Sequence, residues 1–170
     1  PVKHRVAQAA AAFTRRRTVF NSKNLSIKLK IRLYKSGVTS VIRYGAETYT
    51  LTDSAANAIQ MFNARNLSKI TGREIADEYR TPTYDLVHEI HKTRARWLGH
   101  ILRMDPASHL HRTILDLYRH NYPGSLVSTT PAHADLQALL SIAGDRDLWR
   151  AFVRSLPSSH GSLAPSGGVK

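Results

Sequence analysis

The chain has 170 residues and 42% of them are hydrophobic, which is enough for one domain with a buried core. It carries 25 Lys and Arg against 12 Asp and Glu, a formal net charge of +13, and this excess predicts a polyanionic partner: nucleic acid first, an anionic membrane surface second. It contains no cysteine, which excludes disulfide frameworks and every zinc site with Cys ligands.

The first predicted element is an Ala-rich helix over residues 4–19, because alanine has the best helix propensity. Its predicted apolar face comprises Val6, Ala9, Ala10, Phe13 and Val19. Arg15, Arg16 and Arg17 cluster near its end, where they can complement the helix dipole or contact a phosphate backbone. The cluster belongs to a basic segment, residues 1–46, that has eleven Lys and Arg and no acidic residue.

A second helix is predicted over residues 27–44, with Ser26 as its N-cap. Its apolar positions are Ile27, Ile31, Tyr34, Val38, Val41 and Ile42. Lys28, Arg32 and Lys35 share another face and are candidate phosphate contacts. Gly37 in the middle predicts either close helix packing or a bend, and a strand over 38–42 is the alternative because β-branched residues are frequent there.

The third predicted helix covers residues 54–71 and ends at Gly72. Thr52, Asp53 or Ser54 can cap its start. We expect Ala55, Ile59, Phe62, Leu67 and Ile70 to face inward, and Asn57, Gln60 and Asn63 to face outward. An acidic connector over 73–82 follows.

A long helix is predicted from Pro82 to Met104, with Asp85 in its first turn, Asp105-Pro106 after its end and room for a kink at 91–93. Its second half has an apolar side with Trp97, Ile101 and Met104, widened by Leu98 and Leu102. A different side carries Arg96, His100 and Arg103, which form a cationic row.

Shorter helices are predicted over 109–120, over 134–143 and from Asp145 on, where Leu148, Trp149, Phe152 and Val153 are apolar. Residues 121–132 are a predicted loop. Sustained alternation of polar and apolar residues is absent from the sequence. We therefore predict an all-α bundle of about six to seven short helices over residues 1–156, followed by a disordered tail at 157–170.

The sequence contains no pattern that predicts catalysis. His88 and His91 can share a helix face but have no evident third ligand, and Asp145 and Asp147 lie on different sides of a helix. A glycine-rich phosphate loop and a nucleophile elbow are both absent from the sequence. We therefore predict no catalytic residue, no metal site and no cofactor. We also predict that this chain is not an enzyme on its own.

Several motifs occur in a fixed order, and together they resemble a known family. They are Tyr44–Leu51, Phe62–Arg65, Ile70–Gly72, Arg94–Met104 and Ala143–Arg150. Between about Val6 and Leu156 the chain resembles the C-terminal region of reverse transcriptases encoded by non-LTR (LINE-type) retrotransposons, of the endonuclease–reverse transcriptase kind. Two departures are Tyr49, where the family usually has Trp, and a Ser/Thr-rich stretch at 122–131, where it often has basic residues.

The resemblance implies a thumb-like part at about 1–72 and a post-thumb part at about 73–156, located downstream of the polymerase palm. In that family these helices hold template RNA and nascent DNA, while the paired metal-binding aspartates lie in the palm. The partners implied are RNA, DNA and the palm and fingers of a parent RNA-directed DNA polymerase. The start at Pro1 also leads us to expect a fragment or a processed product of a longer protein.

We therefore predict a nucleic-acid-binding module that contacts phosphates rather than bases. The predicted contact residues are Arg15, Arg16, Arg17, Lys28, Arg32, Lys35, Arg96, His100 and Arg103. A chain without a membrane span or signal peptide is expected to be intracellular, nuclear or cytoplasmic. The alternative is a structural or protein-interaction bundle, including a decayed retroelement remnant without selected function.

Overall fold

The computed structural model describes residues 2–48, 50–72, 85–120 and 136–157. All regular secondary structure in these ranges is helical, which confirms the all-α prediction. The helices are α1 Val2–Arg15, α2 Arg17–Asn21, α3 Ile27–Tyr34, a π-helical segment Lys35–Thr39, α4 Ser40–Arg43, α5 Asp53–Thr71, α6 Leu86–Leu102, α7 His109–Arg119, α8 Leu136–Gly144 and α9 Arg146–Ser155. The predicted connector at 73–82, the predicted loop at 121–132 and the predicted tail from 158 on lie outside the described residues.

The predicted helix over 4–19 is wrong as a single element. Arg16 has φ −105° and ψ 11°, outside helical geometry, and separates α1 from α2. The face also differs, because Ala12 is buried while Ala10 is exposed. The reason for the break is the core residue that follows it: α2 places Phe20 in the interior, where it is 2% exposed.

Three aromatic rings from α1, α2 and α3 form the centre of the first part of the core. Phe13 and Phe20 stack with ring centroids 4.7 Å apart, and Tyr34 meets both rings edge-on at 6.1 and 6.3 Å. The Tyr34 hydroxyl donates a hydrogen bond of 3.1 Å to Asn63 Oδ1. The prediction that Asn63 faces outward is therefore wrong: its amide lies in the core, where a buried hydroxyl needs a partner.

The predicted second helix is one continuous helical rod, formed by α3, the π-helical segment and α4, so the alternative of a strand over 38–42 is wrong. Ser26 caps it as predicted and accepts a hydrogen bond from Leu29 N at 3.3 Å. A methyl group on Gly37 would come within 2.9 Å of Arg16 Nε, so glycine permits close packing at the π turn. Ile27, predicted as core, is 42% exposed because it occupies the first turn, beyond the neighbouring helices.

Capping residues set the ends of α5 and the start of α6. Thr52 caps α5 and accepts from Ala55 N at 3.3 Å, and Gly72 ends it with φ 69°, as predicted. Asp85 is the N-cap of α6 rather than a residue of its first turn, and its carboxylate accepts from His88 N at 3.0 Å. Helix α6 is a single α-helix through 91–93 and ends at Leu102, two residues before the predicted end.

Helix α6 takes part in two hydrophobic clusters. Its first half, with Leu86 and Ile90, packs into a cluster shared with α1 to α5. Its second half, with Leu98 and Ile101, packs into another cluster shared with α7, α8 and α9. Because α6 is one continuous helix that packs into both clusters, it positions the C-terminal helices against the side chains of its own second half.

The contact between α6 and α9 is formed by Trp149. Its indole lies against Gly99 and its Nε1–H donates a hydrogen bond of 3.0 Å to the Ala95 carbonyl. Trp97, predicted as part of the apolar side with Ile101 and Met104, packs only at the edge of this cluster, as does Met104. Leu148, one of the apolar residues of this predicted helix, is 55% exposed, because α9 turns Trp149 and Val153 inward instead.

Candidate nucleic-acid interface

The three arginines of the first predicted cluster do not form one surface. Arg15 ends α1 and Arg17 begins α2, and both are exposed. The guanidinium of Arg16 folds back instead, donating a 3.1 Å hydrogen bond to the Ala12 carbonyl and lying next to Gly37. Arg16 thus has a structural role at the helix break, although it is exposed like its two neighbours.

Lys28, Arg32 and Lys35, predicted to share a face, line one shallow groove along α3 of about 510 Å³, which we call the α3 groove. Lys28 and Arg32 are exposed, whereas Lys35 is half-buried. Burial lowers the pKa of the Lys35 ammonium, the nearby Glu89 carboxylate opposes this shift, and Arg43 adds to it. Lys28 and Arg32 are therefore the freer cations of this groove.

A larger basic groove, which we call the α6–α9 groove, lies between these two helices and has a volume of about 750 Å³. The predicted row Arg96, His100 and Arg103 forms its α6 side. Its α9 side carries three arginines that sequence reasoning missed: Arg146, Arg150 and Arg154. All six side chains belong to residues that are exposed to solvent.

The missed arginines follow a visible pattern. They recur at i, i+4 and i+8, which places them along one side of α9, while Trp149 and Val153 fill the adjacent, buried side. Asp145 caps the helix by accepting hydrogen bonds from Asp147 N at 2.8 Å and Leu148 N at 3.1 Å. Arginines at this spacing are also typical of an ordinary solvated helix face. This row becomes part of a groove only because α9 packs against α6.

Burial and repulsion between cations both act on Arg103 in the α6–α9 groove. Burial lowers the pKa of the Arg103 guanidinium, and the positive charges of Arg146 and Arg150 lower it further. Arg103 also donates a 3.0 Å hydrogen bond to the Ala143 carbonyl, which holds it in place. Asp147, a neighbour of Arg146 in the sequence, forms an ion pair of 2.7 Å with Arg150. Both side chains are highly exposed, so water strongly screens the pair.

A smaller cavity of about 280 Å³ lies between the helical rod, α5 and α6. Its charged lining includes Lys35 and Arg43 on one side and Asp85 and Glu89 on the other. The two signs compensate each other, so this cavity does not have the one-signed field of the α6–α9 groove.

Two buried histidines contact backbone carbonyls. His88 Nδ1 lies 3.1 Å from the Pro157 carbonyl, and His111 Nδ1 lies 3.1 Å from the Ile101 carbonyl. Across residues 2–48, 50–72, 85–120 and 136–157, no three His, Asp or Glu side chains gather as metal ligands do. The sequence prediction that the chain holds no metal or cofactor stays a prediction.

Comparison with known proteins finds no matching family model, no matching curated protein and no matching solved structure. Among the described helices, none is both long enough and apolar enough to cross a membrane.

Proposed function

We propose that the chain is a non-catalytic helical module that binds nucleic acid through phosphate contacts. Two basic grooves support this proposal, the α3 groove and the larger α6–α9 groove. Of the nine described residues that line the α6–α9 groove, five are arginines and none is acidic. Exposed guanidiniums whose charges repel one another are stabilised by a polyanion, and nucleic acid presents its phosphate charges in a regular row.

The α3 groove provides a second place for phosphate contacts. Lys28 and Arg32 are accessible there, and Arg15 and Arg17 are exposed on α1 and α2. Contacts of this kind position a backbone but carry no base specificity. We therefore expect non-specific dissociation constants of about 10⁻⁴–10⁻⁶ M at physiological salt.

In its biological setting, the module is the thumb and post-thumb region of a LINE-type reverse transcriptase, holding template RNA and nascent DNA inside the cell, in the nucleus or cytoplasm. The motifs that resemble this family support the proposal. On this account catalysis belongs to the palm of the parent polymerase. The sequence encoded upstream of Pro1 tests this parentage: a palm with paired aspartates supports it, and an unrelated open reading frame contradicts it.

Charge reversal tests the binding itself. Lys28→Glu with Arg32→Glu is compared with Arg65→Glu with Arg112→Glu, a control that changes the net charge equally at exposed sites outside both grooves. Fluorescence anisotropy with a labelled RNA–DNA hybrid is the measurement. We expect the α3 variant to bind at least tenfold more weakly and the control to lose far less. Equal losses of affinity in both variants would mean that net charge alone explains the effect. That result would contradict a localised interface.

A further inference from the structure

The α6–α9 groove has cations on both of its sides. Arg96 and Arg103 come from α6, and Arg146, Arg150 and Arg154 come from α9. Burial lowers the pKa of the Arg103 guanidinium, and the charges of Arg146 and Arg150 lower it further, as expected for cations on facing sides of one groove. A ligand lying between them is therefore contacted from two sides at once.

The dimensions suit one strand. Four residues of α-helix rise about 6 Å, so the α9 arginines are spaced along the helix at an interval close to that between successive phosphates of an extended strand. The volume of about 750 Å³ is in the range of pockets for drug-sized molecules, which corresponds to a few nucleotides. A volume that holds a few nucleotides suits a single strand better than a duplex, which brings two strands.

The floor of the groove has no means of recognising bases. Trp149 is 3% exposed and its Nε1–H is already bonded to the Ala95 carbonyl, so the indole offers neither a free ring face nor a free donor. Val153 and Met104 complete the lining and are apolar. Among the described lining residues, His100 is the only exposed aromatic ring on which a base could stack, so the arginines are the main recognising groups.

From these observations we propose that the α6–α9 groove binds the phosphodiester backbone of a single-stranded nucleic-acid segment, with the arginines of α9 contacting successive phosphates and those of α6 closing the other side. The inference rests on the proposed function and deepens it by assigning the strand state of the ligand to one groove. Binding in the groove is largely independent of base sequence, and duplex is not held inside it.

The test is neutralisation of the α9 row in the full chain, with Arg146→Gln, Arg150→Gln and Arg154→Gln combined. The control combines Arg65→Gln, Arg112→Gln and Arg119→Gln, which removes the same charge from exposed helical positions outside both grooves. Each is titrated against a single-stranded oligonucleotide of about 20 nucleotides, in oligo(dT) and mixed-sequence forms, and against a duplex of the same length. Thermal melting establishes that both variants are folded.

We expect the α9 variant to lose about tenfold or more in affinity for both single strands and less than about threefold for the duplex. Losing three phosphate contacts should also make the salt slope for single strands shallower by about 2. Unchanged single-strand affinity overturns the inference, and so does an equal loss for duplex. In either case the proposed function stands if the α3 charge-reversal variant still loses affinity, whereas it fails together with the inference if the unmodified chain binds no nucleic acid.

Discussion

Gly99→Ala should disturb the packing of α9 against α6 at Trp149. A methyl group built on Gly99 would lie 2.6 Å from Trp149 Cδ1 and closer still to Nε1 and Cε2. Carbon atoms pack favourably at about 3.5–4.0 Å, so the overlap is about 1 Å and Trp149 must move. Its hydrogen bond to the Ala95 carbonyl would be strained or lost with it.

The magnitude follows from two opposing effects. Overpacking costs about 1–3 kcal/mol, and a lost hydrogen bond of a buried donor adds about 1–3 kcal/mol. Replacing glycine by alanine inside a helix returns about 1 kcal/mol through helix propensity. We expect a net destabilisation of about 1–5 kcal/mol, which for a chain of this size lowers the melting temperature by roughly 2–20 °C.

Urea unfolding followed by tryptophan fluorescence and by circular dichroism measures this change. Gly144→Ala is the matched control, because Gly144 is also helical but a methyl group there meets no atom within 4 Å. It should be neutral or stabilising by up to about 1 kcal/mol. Equal unfolding midpoints for Gly99→Ala and Gly144→Ala would refute the packing argument. In a double-mutant cycle, Trp149→Ala should cost less in the Gly99→Ala background than alone, since both changes remove the same contact.

Three further predictions concern stability. Tyr34→Phe removes the hydrogen bond to Asn63 and should cost about 1 kcal/mol in chemical denaturation; an unchanged midpoint would show that the bond contributes nothing. Asp145→Ala removes the cap of α9 and should also cost about 1 kcal/mol in chemical denaturation; a gain in stability would contradict the capping role. Burial, and then Arg94, lower the pKa of His91, so the unfolded chain binds its proton more tightly and stability should decrease as the pH falls through about 6.5. His91→Gln should weaken that pH dependence, and a variant with the same dependence as the unmodified chain would contradict the assignment.

Helical periodicity predicted the all-α architecture, because the spacing of the apolar residues that a helix buries is visible in the local sequence. Ser26, Thr52 and Gly72 were recognisable as cap residues for the same reason: their effect is confined to the adjacent turn. The inward position of Asn63 could not be predicted, since it depends on a tyrosine 29 residues away.

The candidate site was predicted only in part, for a physical reason. The rows on α3 and on α6 are visible because cations recur at helical spacing. The row on α9 shows the same spacing, but its membership of a groove depends on the packing of Trp149 against Gly99, and the hydrogen bond beside it joins residues 54 apart. Sequence spacing therefore identifies a charged face, while long-range packing decides which faces share a groove.

The central claim is that the chain holds a nucleic-acid backbone through about five phosphate contacts. The most direct test is the affinity of the full chain for RNA–DNA hybrid and for single strands across a series of salt concentrations. The account predicts that the logarithm of the binding constant decreases linearly with the logarithm of salt concentration, with a slope near −4. A slope near zero, or no binding at low salt, would contradict it.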